Sequence, residues 1–149
     1  MEGVSAMYDA LTIAMYIINR CFEEGAPVTN LRLQKLLYFV QLESYKVYGK
    51  RLFNNDIAAW QFGPVVPDVY YKYSVYAGMP ILLHYDNLNL CNEITSIVDD
   101  VIDQKKDIPI WKLVECTHKA GGPWDITIKK FGLRSIINSD LIANEAKFN

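Results

Sequence analysis

The stretch TNLRLQKLLYFVQLESYKVYG, residues 29–49, decides the fold. Thr29 can accept a bond from the first free amides of a helix, and Gly49 can end that helix in a conformation other residues avoid. Between them Leu33, Leu36, Leu37, Val40 and then Val47 recur at three- and four-residue steps and form an inner face. Tyr38, Leu42 and Tyr45 mark a flanking face that is also apolar. A helix apolar on more than one side is either central to a core or half of an interface. The spacing predicts a helix over 29–48 in one of those two places.

Upstream, Met7, Ala10, Leu11, Ala14, Ile17, Ile18, Cys21 and Phe22 repeat the same periodicity, and Gly25 supplies a stop. Downstream, Phe53-Asn54-Asn55-Asp56 is turn chemistry, and residues 57–62 form a short candidate strand closed by Gly63-Pro64, so a small hairpin or an extended passage is expected. Pro67 suits the first turn of a third helix, Asp68 its positive end, and Gly78 with Pro80 its finish. Residues 81–92 read as either loop or strand. Ile94, Ile97, Val98, Val101 and Ile102 return to helical spacing, with Asp99, Asp100 and Asp103 on the outer side. Pro109 can open another helix through Trp111, Leu113, Val114 and His118, terminated by Gly121-Gly122-Pro123. Ser139-Asp140 caps a final helix over 139–147. The expected class is mainly α, an α+β chain with a small β-hairpin, built as one compact helical bundle of about five to six helices over residues 1–149.

A chain of 149 residues buries roughly 70% of its unfolded surface as one domain, so it needs no staples. At 51% hydrophobic and 21% charged, its composition is that of a globular chain rather than a disordered one. Fifteen Lys and Arg against seventeen Asp and Glu leave a net charge of -2, which argues against nucleic acid as a partner. The charge is nonetheless uneven: residues 86–103 hold five acids and no base, and residues 105–134 hold seven bases and three acids. Cys21, Cys91 and Cys116 are odd in number and far apart with no C-x-x-C spacing, which argues against a zinc site, and Cys21 on an apolar helical face reads as a buried free thiol in a reducing compartment. No basic region followed by an apolar run opens the sequence, and no apolar run approaches about 18 residues. The expectation is a cytoplasmic protein with no membrane partner.

None of the common catalytic arrangements can be assembled with any specificity. The phosphate-cradling, dinucleotide, nucleophile-elbow and zinc-protease patterns are missing, and Cys116 and His118, two apart on a helix, point to different faces. Adjacent pairs such as Glu23-Glu24 read as solvated surface. No catalytic residue, metal ligand or cofactor is therefore expected. What the chain holds in excess is aromatic groups with polar handles: ten Tyr and three Trp, clustered at Tyr70, Tyr71, Tyr73 and Tyr76. Such side chains offer large rigid contact area at low entropic cost, and they also cap cores.

Three blocks carry a resemblance. Residues 31–38, Leu31 through Gln34-Lys35 to Tyr38, resemble the L-Q-K-L-x-Y helix of the Panacea antitoxin domain, the SocA-like or phage-associated GepA-like family. Ala59-Trp60-Gln61-Phe62-Gly63-Pro64-Val65-Val66-Pro67, with Val69-Tyr70 behind it, is similar to that family's A-W-x-x-G-P-V-x-P segment. Leu113, Thr117-His118 and Pro123-Trp124 resemble its C-terminal signature, although Gly121-Gly122 departs from the charged residue more usual before Pro-Trp. The family motifs span 6–124.

The resemblance implies a toxin–antitoxin setting in which the domain neutralises a cognate toxin by binding it. Gln34, Lys35, Tyr38, Trp60, Tyr70, Tyr73, His118 and Trp124 are the candidate partner-binding residues, with Leu33, Leu36, Leu37, Gly63, Pro64, Val65, Pro67 and Pro123 as framework. Each also has a structural reading: Gln34 and Lys35 can tie their helix to the hairpin, Gly63-Pro64 can make a strand-to-helix corner, and either tryptophan can belong to the core. The function expected is a non-enzymatic protein-binding domain, with a winged-helix DNA regulator or an adaptor to a protease as alternatives and a homo-oligomer as a further partner.

Overall fold

A computed structural model describes residues 8–147. In chain order these form α1 (Ala10–Glu23), α2 (Asn30–Tyr48), β1 (Ala58–Trp60), β2 (Gly63–Val65), α3 (Pro67–Lys72), a 3-10 turn (Ser74–Tyr76), α4 (Asn92–Lys105), α5 (Ile110–Thr117), α6 (Pro123–Phe131) and α7 (Ser139–Lys147). The mainly α class with a small hairpin is what the sequence predicts. The helix count among the described residues is seven rather than five to six.

Helix α2 starts and stops where local chemistry dictates. Thr29 accepts from the Arg32 amide at 3.3 Å, and Gly49 sits at φ 71° with its amide on the Tyr45 carbonyl at 3.0 Å. The helix runs through the middle of the molecule, packed by α1, α4, α5, α7 and the hairpin. Leu33, Leu36, Leu37 and Val40 are buried there, and so is Tyr38 from the flanking face. Val47, counted in the inner face, is exposed because the last turn runs past its neighbours. In α1 the stripe Ala10, Ala14, Ile17, Ile18 and Cys21 is buried, whereas Phe22 turns outward and Met7 lies outside the described residues. Asp9 caps α1 by accepting from the Leu11 amide at 2.9 Å. In α4 the five predicted aliphatic residues are buried, while Asp99 and Asp103 on its outer side pair with Arg20 of α1.

Several boundaries differ. Gly63-Pro64 does not close a strand but lies inside β2, which pairs antiparallel with β1 in the register Trp60↔Gly63 and Ala58↔Val65. Residues 134–137 run along the other edge of β1, where the Ala59 amide donates to the Ser135 carbonyl at 2.8 Å and the Ile137 amide to the Ile57 carbonyl at 2.8 Å. Helix α3 ends at Lys72, well before Gly78, because the buried Tyr73 draws the chain inward and its amide closes the turn on Val69 and Tyr70. Residues 77–91 form neither helix nor strand; they are pinned by the Ile81 amide on the Val28 carbonyl and by Asn19, which holds both the amide and the carbonyl of Tyr85. Pro123 opens α6 rather than closing α5, since its missing N–H is no loss at a first helical position. Asn138, not Ser139, caps α7 by accepting from the Asp140 amide at 2.8 Å.

Buried polar side chains tie loops to α2. Gln41 accepts from the Leu52 and Phe53 amides at 2.8 and 3.2 Å and donates to the Phe53 carbonyl at 2.9 Å. Gln41→Ala strands these buried groups, so it is expected to cost about 3 kcal/mol, read as a lower urea midpoint at unchanged slope. No helix among the described residues is long and apolar enough to cross a membrane.

Candidate functional site

The three blocks, far apart in sequence, converge beneath the hairpin. Gln34 accepts from the Val66 amide at 2.9 Å and donates to Asn30 Oδ1 at 2.9 Å, so one amide fixes both the end of β2 and the start of α2. One residue on, Lys35 is fully buried at 0% exposure, and its Nζ donates to the Pro64 carbonyl at 2.7 Å. Gly63, at φ 106°, lies so close to Thr117 that a Cβ there would stand 2.5 Å from Thr117 Oγ1 and 3.1 Å from Lys35 Nζ. Thr117 Oγ1 in turn donates to the Val114 carbonyl at 2.6 Å. Next to Thr117, His118 lies flat on Trp124, with centroids 3.8 Å apart and planes 10° from parallel. Trp124 Nε1 donates to the Trp60 carbonyl at 2.8 Å, which closes the circuit back to β1.

This cluster is electrostatically unusual. Burial lowers the Lys35 ammonium to about 7, because the charged form loses its water and gains one carbonyl in return. Burial also lowers His118, and the neighbouring Lys35 charge adds to that effect. His118 Nε2 is shut off from solvent with no hydrogen-bond partner among the described residues. Elsewhere burial pushes the Cys21 thiol up to about 11, as an inert core sulfur requires.

Over the cluster lies an exposed aromatic face. Trp60 packs edge-on against Tyr70 at 4.9 Å and tilted against Tyr71 at 5.9 Å. The Arg134 guanidinium covers the Trp60 ring at 4.1 Å and donates to the Tyr71 hydroxyl at 2.9 Å. Tyr71 is 57% exposed, Phe62 at the hairpin turn 57%, and Leu133 beside Arg134 59%.

The candidate residues therefore divide. Gln34, Lys35, Tyr38 and Tyr73 lie inside the fold, as do Leu33, Leu36, Leu37, Gly63, Pro64, Val65 and Pro123. The Tyr73 hydroxyl meets that of Tyr85 at 2.9 Å, so it caps the core. Trp60, Tyr70, His118, Trp124 and Pro67 are half-buried, and the first four line or support the aromatic face. Sequence reasoning left Tyr71, Phe62 and Arg134 off its candidate list. Tyr71 stood within the tyrosine cluster and Arg134 within the basic stretch, but only the pairing of residues 134–137 with β1 brings the two together.

Two surface clefts measure about 440 and 410 Å³, one between α2, α4, α5 and α7, lined by Tyr38 and by Cys116 and Lys119 on either side of Thr117-His118, and the other beside Cys21 and Arg32. Neither is lined by Lys35, Gly63, His118 or a tryptophan. Among the described residues no three His, Cys, Asp or Glu side chains gather in a metal-binding arrangement.

Comparison with known proteins places these features. The family described as antitoxin SocA-like, Panacea domain, matches residues 33–125, a span that holds the whole buried cluster and Trp60, Tyr70 and Tyr71. Antitoxin SocA of Caulobacter vibrioides (strain NA1000 / CB15N) is 31% identical over 130 residues, covering 79% of this chain and 69% of that protein. No solved structure matches the chain. On the matched span, and on that identity over most of its length, the chain belongs to the antitoxin SocA-like, Panacea domain family.

Proposed function

We propose that this protein is an antitoxin that neutralises a cognate toxin by direct contact, seating it on the face built by Trp60, Tyr70, Tyr71 and Arg134. Family membership supports the antitoxin role. The observation that carries the contact surface is the exposed array itself, in which a guanidinium covers Trp60 and is hydrogen-bonded to Tyr71. Trp, Tyr and Arg dominate binding energy at protein interfaces because each brings large, stiff contact area with a polar handle. Here the array is pre-ordered: Trp124 fixes the Trp60 backbone from below, and Lys35 and Gln34 fix β2. A toxin docking on it would meet few side chains still to be ordered, which limits the entropy lost on binding. Neutralisation then follows by covering the toxin's working surface.

Co-expression with the neighbouring open reading frame tests this reading. The expected result is rescue of growth and a co-purified complex, with toxin half-life unchanged; a shortened half-life would mark delivery to a protease instead. Tyr71→Ala removes an exposed ring at no cost to the core, so it should weaken the complex about tenfold or more while leaving the melting temperature in place. An unaltered complex with Tyr71→Ala would contradict the assignment of this face.

A further inference from the structure

The three segments that build the aromatic face, residues 57–63, 69–75 and 129–137, contain Lys72, Lys129, Lys130 and Arg134 and not a single acid. Lys129 is the one among them with a carboxylate partner, Asp125 at 3.0 Å. Lys72, Lys130 and Arg134 form no ion pair among the described residues. Among the other cations, Arg20 and Lys106 pair with acids of α4 and Lys119 with Glu145, and Lys105 stands over the Phe39 ring.

Arg134 is the most committed of the unpaired cations. Its guanidinium is held over Trp60 and one N–H is used on Tyr71, and no carboxylate among the described residues pairs with it. A guanidinium stacked on an aromatic ring is already oriented, so a carboxylate can take it bidentately with little further ordering. Exposed Leu133, the residue before Arg134, and exposed Phe62, two residues after Trp60, offer apolar contact to whatever flanks that carboxylate.

From this arrangement we infer that the partner element recognised here is an acidic protein segment, in which a carboxylate grips Arg134 and a neighbouring apolar or aromatic side chain lies against Trp60, Tyr71 and Phe62. The inference rests on the proposed antitoxin reading and adds the chemistry of the partner to it. A phosphate backbone is the competing polyanion, but the face lacks the broad basic field that nucleic acid needs at a net charge of -2.

A random Glu–Tyr copolymer serves as the probe, with an oligothymidine strand of matched charge beside it, both read by fluorescence anisotropy on the full chain. The wild-type protein should bind the copolymer with an affinity that falls as salt rises. Arg134→Glu should lower that affinity about tenfold or more, Arg134→Lys should lower it less, and Lys112→Glu on α5, away from the face, should leave it unchanged. Circular dichroism confirms that each variant is folded, and an exposed arginine makes that outcome expected. Equal copolymer binding by wild type and Arg134→Glu, absence of copolymer binding, or tighter binding of the oligothymidine would overturn the inference. Growth rescue that survives Arg134→Glu would also overturn it while leaving the antitoxin reading intact; loss of all rescue by the wild-type chain, with copolymer binding preserved, would remove that reading alone.

Discussion

Gly63→Ala is expected to cost about 2–5 kcal/mol of folding stability, enough to remove much of what holds a domain of this size together. Two effects add. At φ 106° a side chain strains the backbone, and the new methyl would stand 2.5 Å from Thr117 Oγ1 and 3.1 Å from Lys35 Nζ, a distance no core tolerates. Neither neighbour can step aside freely, since Thr117 is bonded to the Val114 carbonyl and Lys35 to the Pro64 carbonyl. Urea unfolding followed by far-ultraviolet circular dichroism measures the loss. In the double variant Gly63→Ala with Thr117→Ala, the clash is relieved but the backbone strain stays, so part of the loss should return. A single variant within about 0.5 kcal/mol of wild type would show that the hairpin does not press against α5 as described.

The second large effect is a pH dependence that belongs to one side chain. Lys35 titrates near 7 in the fold and near 10.4 when unfolded, so between those values the unfolded chain holds more protons and stability rises with pH. The slope is at most about 1.4 kcal/mol per pH unit. His118, also lowered, adds a rise of the same sign, but below about pH 6.5. The Cys21 thiol works the other way: raised by burial to about 11, it contributes stability that is present below about pH 8.5 and lost as pH climbs toward 11. The raised hydroxyls of Tyr38 and Tyr73 act in that same sense at still higher pH. The window from about pH 7 to 8.5 therefore isolates Lys35. Stability should increase across it in the wild type, and Lys35→Met, which keeps the stem and removes the titrating group, should flatten the profile. A rise that persists in Lys35→Met would refute the assignment.

These two residues also explain why so much of the fold was legible and the site only in part. The central helix could be bounded from Thr29 and Gly49 because capping is local, and its inner leucines from periodicity alone. The tie from Gln34 and Lys35 to the hairpin was one of two readings open to the sequence; the structure supplies the acceptors, Pro64 and Val66, that only folding brings within reach. Helix α6 was missed because Gly121-Gly122-Pro123 carries a stop and a start in three residues, and a proline reads as either. Gly63 reads from the sequence as a corner because nothing in its neighbours announces contact with Thr117, which lies more than fifty residues on in α5. Arg134 stayed invisible for the same reason: its place over Trp60 depends on residues 134–137 running beside β1, a pairing with no periodic signature in so short a segment.

Hydrogen–deuterium exchange on the wild-type protein, free and in complex with the product of the neighbouring reading frame, measures the central claim most directly. Protection gained at residues 60–63, 70–72 and 131–136 is the result expected of a toxin seated on the aromatic face. Protection confined to the clefts beside α4 or to residues 77–91, with that face exchanging as in the free protein, would contradict it.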